Sequence, residues 1–315
     1  MLAKTLIPTS PEKLSRSAAV KKGARQNNPK QNNYHSTPES FLEVRVHHMN
    51  TVPSLSGLCV GYERGVWRVE QFATHVMEWL PEFALKTSEC QAMGFGNAVQ
   101  LIRRAAKNVY DTAKFQNRGE FGELFLHIAI RQIFGSIPAI SKIYYKTANN
   151  ETVKGFDAVH VVGPPNDLEL WLGEAKFYDN FDRAARDVVA ELVKHTDTDY
   201  LRNEFSLIIN KIDEALPHAK ILRKLLSPNT SLDEVFKRAC IPLMLTYDSQ
   251  CLATHITCDD AYMTAFTSEI NTNYQKFVKK SFPKKVRIHL FLLPLHTKHR
   301  LIEALDKQLK IWQQL

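Results

Sequence analysis

Between Gly119 and Tyr247 the chain switches between two hydrophobic periods, and the order of those switches constrains the fold more than any other feature. Phe121, Leu124, Phe125, Ile128, Ile130 and Phe134 recur as a strongly apolar helix beginning at Gly119. Three strand-like runs follow at 140–147, 155–162 and 168–177, the last two separated by the turn sequence Gly163-Pro164-Pro165-Asn166-Asp167. A helix is predicted over 181–195, further helices over 200–212, 218–226 and 232–238, and a strand over 241–247. This order predicts an α/β core: helix, three strands, helix and strand, with helical insertions and helices packed on a mixed sheet.

Upstream, residues 42–46 alternate like a half-exposed strand, and 54–60 is a candidate partner. Residues 69–85 have helical spacing ending near Pro81, and 97–112 form an amphipathic helix. Downstream, a helix over 268–280, a strand over 286–293 and an amphipathic helix over 297–314 close the chain. The expected organisation is a disordered basic tail (1–38), an N-terminal α+β subregion (39–115) and a core with helical insertions (116–315).

A chain of 315 residues, 44% hydrophobic, can bury a sizeable core. The net charge of +8 permits a nucleic-acid partner, but residues 1–40 hold seven Lys or Arg against two Glu, a net +5 that leaves only +3 for the rest. Any nucleic-acid surface on the body is therefore a local patch. Five widely spaced cysteines without a CxxC argue against a disulfide framework and for a reducing cytoplasm. No apolar run approaches the roughly 18–20 residues of a membrane span, and no signal-peptide core is present.

Against this background, charges on the core strands stand out. Asp157 lies in Gly155-Phe156-Asp157-Ala158-Val159-His160, and Glu174 and Lys176 lie among Trp171, Leu172, Ala175, Phe177 and Tyr178. Positions i and i+2 of a strand share a face, so Glu174 and Lys176 project together. Burying such charges costs several kcal/mol unless they are compensated. Neighbouring carboxylates repel, and a hard divalent cation, Mg²⁺ or Mn²⁺, relieves that repulsion while taking oxygen ligands. The cation makes a bound water easier to ionise, and Lys176 can orient that water or stabilise a developing oxyanion. The Ala175 carbonyl is a further candidate ligand. These parts suffice for phosphodiester hydrolysis. The ordinary alternative, a strand-end Glu174–Lys176 salt bridge or a snorkelling Lys176, does not account for the order of the surrounding elements.

Glu120 and Glu123 lie three apart on the first core helix. Glu123 is the candidate fourth member and third metal-site acid, whereas Glu120 suits the helix start, where acids favour the dipole. Asp179, Asp182, Arg183, Arg186, Asp187 and Lys194 read as a solvated helix face. Lys142, Tyr144 and Lys146 read as an exposed strand face, and Lys279, Lys280, Lys284, Lys285 and Arg287 as a basic cluster. Cys251, His255 and Cys258 supply only three of the four ligands of a structural zinc site.

The Asp157…Glu174-Ala175-Lys176 arrangement resembles the motif of PD-(D/E)XK nucleases. Within that group, 155–160, 168–178 and Gly119-Glu120-Phe121-Gly122-Glu123-Leu124 together resemble the HamA family, the nuclease subunits of Hachiman anti-phage defence, over about residues 40–315. The resemblance implies a metal-dependent DNase restrained by a partner helicase, HamB, until it meets damaged or phage-modified DNA. Asp157 and Glu174 match the family's acids, Lys176 its lysine and Glu123 its helix acid; the basic tail is a departure. A second reading, from another class, is a catalytically silent nuclease-fold subunit that binds DNA or a partner. A third, a restriction-type endonuclease, lacks an evident sequence-reading module.

Overall fold

The two N-terminal strands pair as their alternation predicts: β1 (Glu43–His48) runs antiparallel to β2 (Ser54–Cys59). The computed structural model describes residues 36–110, 119–141 and 155–315. The tail through residue 35, and Lys142, Tyr144 and Lys146, lie outside the described residues. A short ribbon, β3 (Tyr62–Glu63) with β4 (Val66–Trp67), leads into α1 (Val69–Glu78), α2 (Leu80–Ala84), α3 (Thr87–Gln91) and α4 (Ala98–Val109). The core follows as α5 (Glu120–Phe134), β5 (Ile137–Ser141), β6 (Ala158–Val162), β7 (Glu169–Lys176) and α6 (Phe181–His195). Helices α7 (Thr198–Lys211), α8 (Ala219–Leu226) and α9 (Leu232–Lys237) precede β8 (Ala239–Asp248). The chain ends with α10 (Gln250–Thr254), α11 (Asp260–Val278), β9 (Arg287–Leu295) and α12 (Lys298–Gln314).

One seven-stranded sheet, in the order β1-β2-β9-β8-β7-β6-β5, organises these elements as a mixed α/β fold. Strands β2, β9, β8 and β7 are mutually parallel; β1 is antiparallel to β2, and β6 is antiparallel to both β7 and β5. β8 and β9 are buried nearly throughout, as parallel strands covered on both faces must be, and they read as continuous apolar runs. Among the described residues β5 is an edge strand, which is why it tolerates Pro138 beside a bulge.

Three boundaries differ from the sequence expectation. The helix over 69–85 is split into α1 and α2, and Pro81 opens α2 instead of ending a helix, because a first-turn residue needs no backbone N–H. The helix expected over 268–280 begins at Asp260, where Asp259 Oδ1 accepts the Tyr262 N–H at 2.9 Å as an N-cap. The strand expected at 140–147 is seen from Ile137 to Ser141, and its remainder lies outside the described residues.

Two close approaches fix the layers around β7. A Cβ on Gly122 would stand 2.9 Å from Phe177 Cβ and 3.6 Å from Ala175 Cβ, and one on Gly173 would stand 2.6 Å from Leu126 Cδ2. The two glycines thus let α5 seat directly on the Ala175/Phe177 face of β7. The opposite face carries Leu170 and Leu172, which join Val159, Val161, Phe205, Ile208 and Leu222 in a second apolar cluster beneath α7 and α8. Glu174 and Lys176 continue that second face toward α6.

Candidate functional site

The site stands at the C-terminal end of β7, where parallel strands present their carboxyl ends, the position at which open α/β sheets place ligands. Antiparallel pairing sets Ala158 opposite Gly173, so Asp157, one residue earlier, meets Glu174. Asp157 Oδ2 accepts the Ala175 N–H at 2.8 Å, and the Asp157 N–H donates to the Gly173 carbonyl at 2.9 Å. The aspartate is therefore locked onto β7 by its backbone and its side chain. Asp157 is 5% exposed and Glu174 2%.

Helix α6 closes over the two charged positions of β7. Lys176 Nζ is 2.5 Å from Glu191 Oε2, and His195 Nδ1 is 2.5 Å from Glu174 Oε1. The match is geometric: two strand residues at i and i+2 span about 6.6 Å, and two helical residues at i and i+4 rise about 6 Å. Glu191 and His195 thus register with Lys176 and Glu174.

Electrostatics follow from burial. Burial, then Asp157 and Glu191, push the Glu174 carboxyl well above its usual range, and it shares a hydrogen bond with Glu191. Burial alone would lower Lys176, but the Glu191 hydrogen bond and charge outweigh it and hold the ammonium up. Burial would raise Glu191, yet Lys176 brings it below the ordinary value. Burial takes His195 down to about 4, so its imidazole is neutral near pH 7. Glu174 Oε1 and His195 Nδ1, though 2.5 Å apart, meet off the hydrogen-bond axis, and neither has another partner of acceptable geometry among the described residues.

Of the residues singled out from sequence, the structure brings Asp157, Glu174 and Lys176 together. Glu123 sits at the start of α5, beside Gly122 and therefore against the opposite face of β7. His127, one turn on, belongs to the core: its Nε2 is 3.1 Å from Glu82 Oε2. Among the described residues, no three His, Cys, Asp or Glu side chains already stand as a metal-holding group. The buried Glu174 Oε1, without a hydrogen-bond partner among the described residues and on a carboxyl that feels the Asp157 charge, nevertheless fits Mg²⁺, which is held by one or two carboxylates with water completing its shell.

Glu191 and His195 are the residues that sequence reasoning missed. The available signal was their place on the apolar stripe of α6 with Phe181, Ala184, Val188 and Leu192. The other motifs lead elsewhere. His255 Nδ1 engages the Cys251 carbonyl at 2.8 Å and lies 4.0 Å from Cys251 Sγ, as expected of packed residues. Arg287 pairs with Glu169 at 2.8 Å, at the end of β7 away from Glu174, so this member of the basic cluster is remote from the acids.

No helix among the described residues is long and apolar enough to cross a membrane. A search of curated proteins returns no match. The HamA family model matches residues 36–309, nearly the whole length, and points to a component of Hachiman anti-phage defence. By that match the chain belongs to the HamA family.

Proposed function

We propose that this chain is a metal-dependent deoxyribonuclease of the PD-(D/E)XK type, the effector of a Hachiman defence system restrained by a partner helicase. The observation that carries the reading is the convergence of buried Asp157 and Glu174 with Lys176 at the carboxyl end of β7. Asp157 and Glu174 would hold the cation, Mg²⁺ or Mn²⁺, and Glu123, on the helix packed against the other face of β7, would support the site from α5. When bound, the cation neutralises charge on the phosphate and makes a water easier to ionise. Lys176 donates to the attacking water or to the developing charge on the phosphate, and Glu191 orients the ammonium.

One observation favours a silent or restrained isolated chain: Glu174 is almost wholly covered, and Lys176 is engaged by Glu191. The two readings separate in one experiment. Plasmid DNA is incubated with the purified chain and Mg²⁺, alone and with the co-encoded helicase. Cleavage that depends on cation and is governed by the helicase supports the nuclease. Binding without cleavage under every condition supports the silent subunit.

A further inference from the structure

We propose that His195 is a nitrogen ligand of the site's cation, so that the centre favours a first-row transition cation, probed as Mn²⁺, over Mg²⁺. This rests on the reading of the site as a cation-dependent nuclease centre. Three observations carry it. First, Glu174 Oε1 and His195 Nδ1 are both buried, lie 2.5 Å apart and lack an acceptable hydrogen-bond partner among the described residues. A buried carboxyl oxygen and imidazole nitrogen brought together off the hydrogen-bond axis leave both groups' lone pairs open to one shared cation.

Second, the imidazole is clamped. It stacks on Tyr200 with centroids 4.5 Å apart at 15° and takes the Phe156 ring at 5.1 Å and 65°. Held on two sides by aromatic rings, His195 keeps Nδ1 on Glu174. Third, the spacing is nearly that of adjacent ligands. Two donors about 2.1 Å from an octahedral ion stand about 3.0 Å apart, so an opening of about 0.5 Å turns the contact into a ligand pair. The resulting set of two carboxylates and one imidazole differs from the all-oxygen shell that Mg²⁺ prefers, and the imidazole suits transition metals.

The test is pulsed electron paramagnetic resonance on the full chain loaded with Mn²⁺. The wild type is expected to show modulation from a directly bonded ¹⁴N, which His195→Gln abolishes. Titration is expected to show Mn²⁺ affinity reduced by about tenfold or more in the variant, with a smaller change for Mg²⁺. A nitrogen signal that persists in folded His195→Gln overturns the assignment. So does a wild-type spectrum without nitrogen coupling, which keeps the test decisive even if the variant fails to fold. A wild type that binds no Mn²⁺ and cuts no DNA overturns the nuclease reading as well. Oxygen-only binding with cleavage overturns His195 alone.

Discussion

Lys176 and Glu191 form an ion pair of 2.5 Å between strand β7 and helix α6, with the lysine side chain 11% exposed and the glutamate 40%. The glutamate fixes the direction of the ammonium, and the lysine carries the chemical role. Lys176→Met is therefore expected to lower cleavage by about 10² or more while divalent-cation binding persists. Glu191→Gln, which loosens the lysine without removing it, is expected to cost about tenfold. Single-turnover cleavage beside calorimetric cation titration checks both. Equal losses in cation affinity for the two variants would contradict this division of labour.

Glu174 makes the fold pH-sensitive in an uncommon direction. Its folded pKa is raised well above 4.5, chiefly by burial. The folded chain therefore holds the proton more tightly than the unfolded chain, and stability present below about pH 4.5 is lost as pH rises through the folded value. Glu174→Gln removes that loss. Its Tm is expected to exceed that of the wild type at pH 8, with the gap closing toward pH 4.5. Cation at pH 8 is expected to raise the Tm of the wild type but not that of the variant. A Tm gap independent of pH would refute the account.

How far the sequence reached is clear on β7 and α6. Glu174 and Lys176 were legible because strand alternation assigns them one face, and because Trp171, Leu172 and Phe177 announce a core strand. Their partners were not. Mixed charges on a helix usually mark a solvated face, and Arg183 and Arg186 are indeed largely exposed, their side chains 48% and 69% accessible. Glu191 and His195 share that helix but reach Lys176 and Glu174, and only the register of α6 over β7 distinguishes them. Asp259 as a helix start was missed because α11 is less regularly amphipathic than its cap is strong.

Five histidines, His75, His127, His160, His195 and His289, are buried, and burial lowers each below its ordinary value. His127 and His160 are held below the ordinary value by burial, and His289, set between Ser54 and Ser56, is taken down to about 3. Below about pH 6.5 the unfolded chain binds protons that the folded chain refuses, so stability falls as pH falls. Each histidine contributes up to about 1.4 kcal/mol per pH unit in that range. Urea midpoints are expected to drop between pH 7.5 and 5.5, and His289→Gln is expected to flatten the slope. An unchanged slope in that variant would count against a neutral buried His289.

Gly122→Ala tests the seating of α5. The new methyl would stand 2.9 Å from Phe177 Cβ and 3.3 Å from Phe177 N, positions fixed by the strand backbone. The expected cost is about 1–3 kcal/mol in stability, with cleavage reduced as the start of α5 moves from the site. Thermal melts and cleavage assays read both, and a variant indistinguishable from wild type would show that α5 can shift freely.

The central claim is that Asp157, Glu174 and Lys176 form one hydrolytic centre. The most direct test follows supercoiled plasmid DNA in Mg²⁺ or Mn²⁺, with the helicase present, for the wild type, Asp157→Asn, Glu174→Gln and Lys176→Met. The account predicts nicking or degradation by the wild type that stops on chelation and is lost in all three folded variants. Cleavage by any of the three at the wild-type rate would contradict it.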